Sequence, residues 1–146
     1  MIQARPENPA KTFLKRYRAM LARRESLQRA IDEAYDRATS VTSRPKEVSV
    51  TGGPAASDRM AEDVARIADS TEQLKAATRQ IKAALAEILA AIDAVQDETQ
   101  RAVLTMRYIE GAGWAEIQER LHYERTQTLV IHGRALWTVR KWMEER

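Results

Sequence analysis

The strongest structural signal in the chain lies in residues 57–95, SDRMAEDVARIADSTEQLKAATRQIKAALAEILAAIDAV. Nine apolar residues and two threonines recur there with alternating spacings of four and three, at Met60, Val64, Ile67, Thr71, Leu74, Thr78, Ile81, Leu85, Ile88, Ile92 and Val95. A period of about 3.5 residues held over five heptads is typical of a coiled-coil helix. We therefore predict one long helix, with Ser57 as its N-cap.

A second long helix is predicted upstream, beginning between Pro9 and Thr12. Its apolar seam comprises Tyr17, Met20, Leu21, Leu27, Ile31, Ala34 and Ala38, which suits packing on a partner helix. Residues 40–57, rich in Ser, Thr, Gly and Pro, are predicted to form a loop because they bury too little apolar surface to offset their ordering entropy.

Two arrangements of these helices are open. Either the two helices fold back on each other as an antiparallel hairpin, or residues 57–95 pair with the same residues of a second copy in a homodimer. A single hairpin has little core, so alanine-rich faces are expected to contact a second subunit, at Ala76, Ala77, Ala83, Ala84, Ala90 and Ala91.

The composition excludes several classes of protein. The chain has 146 residues with five Gly, four Pro and no Cys, which rules out a disulfide scaffold and thiolate metal sites and argues against an all-β fold. No apolar run approaches the roughly 20 residues of a membrane span, and no signal-peptide pattern opens the chain. We expect an all-α, cytoplasmic protein without membrane contact.

The pattern changes after Val95 to shorter helices. One is predicted over residues 97–108, followed by a break at Gly111-Ala112-Gly113, a short helix over Trp114–Leu121, a turn at residues 122–124 and a longer helix over residues 125–143. This layout is that of a helix-turn-helix. The sequence thus predicts a long two-helix, coiled-coil-like hairpin arm (residues 1–95, with the loop 40–57) followed by a trihelical helix-turn-helix domain (residues 96–146).

Several short motifs in this order support a family comparison. The strings LTMRYIEG (residues 104–111), WAEI (residues 114–117) and RAL (residues 134–136) resemble region four of bacterial sigma factors, which binds DNA. The whole chain is also similar to small phage and prophage proteins of unassigned function. The shared motifs are RYR (16–18), ATSVT (38–42), SDRM (57–60) and HGRAL (132–136). Such proteins are often grouped with phage late-gene transcription activators.

The resemblance implies a phage-type transcriptional regulator that binds double-stranded DNA. Ile117, Leu121, Tyr123 and Ile131 would hold the two helices together, and His122 would occupy the turn position where the family has glycine. An arginine can pair with guanine and a glutamine with adenine, while basic residues farther along a helix can bind phosphates. The predicted DNA-binding residues are Arg125, Thr126, Gln127, Val130, Arg134, Arg140 and Lys141. The arm would mediate homodimerisation or contact RNA polymerase.

A non-enzymatic adaptor or assembly factor that binds protein through Leu129 and Val130 is the alternative. Residues 96–146 carry eight basic and eight acidic residues, so they lack the basic excess of an autonomous DNA-binding domain. A small phage enzyme or a terminase accessory subunit is a distant third possibility, for which no residues stand out.

No catalytic, metal or cofactor site is predicted. The two histidines, His122 and His132, are expected to be a turn residue and a helix-packing residue, and Trp137 and Trp142 are expected to cover the small core. The basic residues near the N-terminus are open to two interpretations, a solvated helix face or a surface for phosphates or an acidic partner. They are Lys11, Lys15, Arg16, Arg18, Arg23 and Arg24.

Overall fold

The computed structural model describes residues 4–43 and 54–146, with side chains for residues 4–39 and 58–146. These ranges contain helices and no strand, which confirms the all-α fold with two long helices followed by shorter ones. The elements are α1 (Pro9–Ser43), α2 (Pro54–Asp93), α3 (Glu98–Leu104), a π-helical turn (Thr105–Glu110), α4 (Trp114–Leu121) and α5 (Arg125–Glu144). None of the helices in the described ranges has the length and apolar character needed to cross a membrane.

Both long helices are longer than the sequence pattern predicts: α1 ends later in the sequence and α2 begins earlier. The start of α1 at Pro9 is confirmed, and the Asn8 side chain accepts a 3.0 Å hydrogen bond from the Ala10 N–H. The predicted limits of the loop, residues 40 and 57, are wrong, because α1 reaches Ser43 and α2 begins at Pro54. Proline fits the first turn of a helix, which needs no N–H donor. The rest of that predicted loop, residues 44–53, lies outside the described residues.

The contacts divide the chain into two units, which we describe separately. The first contains the start of α1, as far as Met20, together with Ile81–Arg146. In it the first turns of α1 pack beside the end of α2, and a 3.7 Å ion pair joins Arg16 to Glu87. The hairpin alternative therefore holds at this end of the helices. The shared core consists of Ala10, Leu14, Ile88, Ala91, Ile92, Val95, Leu104, Tyr108, Ala135, Leu136 and Val139.

This core takes residues from both sides of residue 95. The division into an arm and a C-terminal domain at that point stays a prediction. Ala84 and Ala91, which the sequence offered to a second subunit, are buried within this chain, whereas Ala83 and Ala90 are exposed. The surface that α2 leaves for a partner is thus smaller than predicted.

The second unit comprises the described residues of Leu21–Gln80. The predicted seam of α1 is confirmed there, because its members are the least exposed residues of that segment and Ala34 is buried. In α2 the first two seam positions, Met60 and Val64, are 54% and 57% exposed, so the described residues of this chain do not cover them. Partial burial of the seam positions begins at Ile67.

The short helices begin with an aspartate cap and contain one irregularity. The Asp97 carboxylate accepts a 2.9 Å hydrogen bond from the Gln100 N–H. The π-helical turn follows α3, and at its end the Met106 carbonyl accepts hydrogen bonds from both Gly111 and Ala112. The buried residues of this segment are Val103, Leu104 and Tyr108.

Candidate nucleic-acid interface

Two helices joined by a tight turn form the candidate interface, as the sequence predicted. The bounds of α4 are the predicted ones, and α5 begins at the predicted Arg125. His122 closes α4 in the left-handed conformation, with φ 58° and ψ 38°, and its N–H donates to the Gln118 carbonyl. It is the only non-glycine residue with positive φ in the described part of the chain. Histidine thus takes the conformation that glycine adopts most easily.

An apolar cluster fixes the angle between α4 and α5. Val103, Ala112 and Ile117 are buried at its centre, and the half-buried residues packed against them are Met106, Trp114, Leu121 and Ile131. Three of the four predicted packing residues therefore lie here, whereas Tyr123 is half-buried outside the cluster. Thr128, also buried, donates its hydroxyl to the Glu124 carbonyl at 2.9 Å.

A buried polar pair joins α5 to the π-helical turn. The Tyr108 hydroxyl and His132 Nε2 are hydrogen-bonded at 2.7 Å, and the Trp114 ring meets the imidazole edge-on at 4.7 Å between centroids. Burial, with smaller contributions from the charges of Lys11 and Arg107, lowers the pKa of His132 to about 4. Burial also raises the pKa of Tyr108 to about 12. Both groups are therefore neutral at pH 7, and the prediction that His132 is a packing residue is confirmed.

Arg107 supports the entrance to α4. Its guanidinium lies 4.6 Å from the centre of the Trp114 ring, and its Nη1 donates a 3.1 Å hydrogen bond to the Ala112 carbonyl. A guanidinium over an indole face is a favourable cation–π contact. Sequence reasoning gave Arg107 no role beyond its place in a motif, because the contact depends on how the loop folds back.

All seven predicted DNA-binding residues have exposed side chains on α5. Arg125, Thr126 and Gln127 lie in its first turn, where the backbone N–H groups have no side-chain cap. Arg140 forms a 3.2 Å ion pair with Glu144. Val130 and Arg134, with Lys141 two turns on, follow each other at helical spacing on the side opposite the buried residues. The exposure agrees with the prediction, while their binding to DNA stays a prediction.

Trp137 is also on the exposed side of α5. The expectation that it covers the core is wrong, because it is 60% exposed and its only ring contact in the described structure is with the Lys141 ammonium, at 4.4 Å. The same expectation is confirmed for Trp142, which packs against Phe13 with 6.2 Å between ring centroids. Leu129 and Val130 are exposed as well, at 39% and 47%.

Charges are distributed unequally between the helices of this region. Residues 125–143 of α5 contain four basic residues and no acidic residue, although residues 96–146 as a whole have no net charge. The acidic residues lie at α3, in the π-helical turn, on α4 and at the two ends of α5. Three of them have arginine partners, Glu110 with Arg120 at 2.5 Å, Glu98 with Arg101 at 4.0 Å and Glu144 with Arg140. The exposed side of α5 is consequently basic.

The basic residues of α1 differ in whether they form ion pairs and in the unit to which they belong. Lys15 pairs with Glu7 at 2.5 Å, and Arg16 pairs with Glu87. The pKa of Glu7 is lowered by the hydrogen bonds it accepts from Lys15 and Thr12. Lys11 and Arg18 belong to the same unit, whereas Arg23 and Arg24 belong to the second unit.

The described residues contain no group of three or more His, Asp or Glu side chains that could hold a metal ion. No protein-family model, curated protein or solved structure matches the chain.

Proposed function

We propose that this protein is a DNA-binding transcriptional regulator in which α5 enters the major groove. The observation that carries the proposal is the basic, exposed side of α5, which follows a tight turn after α4 in the order of a helix-turn-helix. Basic side chains supply most of the attraction to DNA, and residues in the first turns of the second helix read base edges. The sequence resemblance to sigma region four points to the same function.

The residues of α5 divide into two roles. Arg125 and Gln127, in the first turn, have the donors that read guanine and adenine, and the Val130 side chain can contact a thymine methyl group. Arg134, Arg140 and Lys141 lie farther along the helix and would bind phosphates. Glu124 precedes this surface and would oppose a nearby phosphate.

DNA selected by the wild-type protein from a pool of random duplexes provides the test. We expect Arg125→Ala to weaken binding to the selected duplexes by about 1–3 kcal/mol, the usual value of a good arginine–guanine pair. Arg66→Ala is the matched control, because it removes the same charge from an exposed position on α2 in the other unit. If the wild-type protein shows no salt-dependent binding to the duplex pool, the proposal is wrong.

The long helices would carry a second activity, either homodimerisation or contact with RNA polymerase. Met60 and Val64 support this part of the proposal because they are large apolar residues exposed at positions of a heptad seam. Exposed apolar surface of this kind marks interaction sites. Light scattering of the wild type and of Val64→Asp distinguishes the two partners. A dimer that the substitution dissociates supports self-association, whereas a monomer in both cases leaves the polymerase as the partner to test by pull-down.

One observation favours the alternative, a protein-interaction adaptor without nucleic-acid binding. Trp137 and Val130 are exposed on the same side of α5, and aromatic residues are enriched in the cores of protein interfaces. A stable protein partner whose binding is lost in Val130→Asp would support the adaptor. Retention of that partner by the variant would count against it.

A further inference from the structure

Arg18, a cation of α1, lies beside the loop that leads into α4. Gly111, at φ 78°, permits this approach, because a Cβ atom at residue 111 would stand only 2.5 Å from Arg18 Nη2 and 2.6 Å from Arg18 Cζ. The Arg18 guanidinium therefore lies directly over the glycine backbone. Lys11 precedes Arg18 by seven residues and so lies on the same side of α1.

Arg107 brings a third positive charge to this loop, since it donates to the Ala112 carbonyl. Lys11 and Arg107 both lower the pKa of His132, so their charges act on the same imidazole. The charge of Lys11 also lowers the pKa of Glu7, whose carboxylate is the acidic neighbour of these cations and is paired with Lys15. Among the residues that the structure describes, none of these three cations has a carboxylate within ion-pair distance. Lys15 and Arg16, their neighbours on α1, are paired.

We propose that Lys11, Arg18 and Arg107 form a phosphate-binding surface, through which α1 contacts the DNA backbone while α5 occupies the groove. This inference rests on the proposed function. It adds a binding role for α1, a helix that ends at Ser43, 71 positions before α4 begins at Trp114. We call these three residues the α1 phosphate surface.

The surroundings of the α1 phosphate surface favour nucleic acid over an acidic protein. In the described residues, the large apolar side chains that are exposed are Tyr35, Met60, Val64, Leu89, Leu129, Val130 and Trp137. None of them lies in residues 4–20 or 105–113. Stable protein interfaces have an apolar, aromatic-rich core, whereas DNA interfaces are polar and strongly positive. A surface of three cations without an exposed apolar residue therefore matches a phosphate backbone.

The spacing of the cations also fits a row of phosphates. Seven residues of α-helix span about 10.5 Å, and successive phosphates of one strand are separated by about 3.4 Å along the DNA axis. Because the span of seven residues exceeds this separation, Lys11 and Arg18 would contact two different phosphates.

The salt dependence of DNA binding tests the surface. The variant Lys11→Gln/Arg18→Gln is compared with Arg23→Gln/Arg24→Gln, which removes the same charge from exposed positions of the same helix in the other unit. Each lost phosphate contact lowers the slope of log K against log salt by about 0.9. We expect the first variant to lose about 1.8 from the slope, and about 60-fold in affinity at 0.1 M salt. The control should keep the wild-type slope.

Further variants separate this inference from the proposed function and from a folding defect. Lys11→Arg/Arg18→Lys keeps both charges and should keep the slope, even if the packing against Gly111 changes. If the wild type binds and Arg125→Ala weakens binding, but Lys11→Gln/Arg18→Gln leaves the slope unchanged, the α1 phosphate surface is wrong and the proposed function stands. An equal loss in the control variant also overturns the surface, because net charge alone would then explain the effect. No binding by the wild type overturns both.

Discussion

The buried imidazole of His132 makes the stability of the fold depend on pH. An unperturbed histidine has a pKa of about 6.5, whereas burial and the charges of Lys11 and Arg107 lower the pKa of His132 to about 4. Between these two values the unfolded chain binds a proton that the folded chain does not bind. The free energy of unfolding must therefore fall as the pH falls from about 6.5 to about 4.

The size of the effect follows from the pKa difference. A shift of about 2.5 pKa units corresponds to about 3 kcal/mol, of which about 2 kcal/mol is lost between pH 7 and pH 4.5. Urea unfolding at both pH values measures this loss. His132→Gln removes the titration, so we expect that variant to lose about 2 kcal/mol less than the wild type over the same interval. Carboxylates contribute to both proteins equally, and the comparison cancels them.

The other histidine provides the control. His122 is exposed, and asparagine tolerates its left-handed backbone. His122→Asn should therefore show the pH dependence of the wild type. An equal loss of stability in the wild type and in His132→Gln would refute the reasoning, because the buried imidazole would then titrate as it does in the unfolded chain.

Three further predictions concern the backbone and the core. His122→Gly should raise the free energy of unfolding by about 0.5–1 kcal/mol in urea titrations, because relief of a left-handed residue outweighs the added flexibility of the unfolded chain; a destabilised variant would contradict this. Gly111→Ala should cost about 1–2 kcal/mol because the φ of residue 111 is positive, and Arg18→Ala should recover little of that cost in a double-mutant cycle, since the end of the exposed Arg18 side chain can move away from the added Cβ. Ile117→Ala should cost about 3 kcal/mol by the same titration, whereas Leu129→Ala at an exposed position should change stability by less than about 0.5 kcal/mol.

Where the sequence contains local signals, it predicts the structure closely. The bounds of α4, the turn and the start of α5 follow from the glycines, from residues that favour turns and from an apolar period that restarts after each break. These signals act within a few residues and need no tertiary information. The predicted limits of the loop were wrong because residues 40–43 and 54–57 contain no long apolar side chain except Val41. Without apolar residues at regular spacing, these segments carry no periodic signal for a helix.

Other features depend on distant contacts and could not be predicted. Leu14 and Val139 share a core cluster, but no local pattern indicates which helix covers another. The Tyr108–His132 hydrogen bond likewise joins residues 24 positions apart. The exposure of Trp137, by contrast, could have been predicted from the sequence. A helical projection that places Ala135, Leu136 and Val139 on the buried side puts Trp137 on the other side.

The arrangement of charge matters more than the net charge of the C-terminal residues. A phosphate at the surface interacts mainly with charges within the Debye length, which is about 8–10 Å in physiological salt. The acidic residues that neutralise residues 96–146 lie at α3, in the π-helical turn, on α4 and at the ends of α5, and three of them pair with arginines. A phosphate beside Arg134, in the middle of α5, would meet no acidic residue of that helix within this distance, whereas a phosphate beside Arg125 or Lys141 would also lie near Glu124 or Glu144. The absence of net charge over residues 96–146 therefore weighs less against binding by the middle of α5 than against binding by its ends.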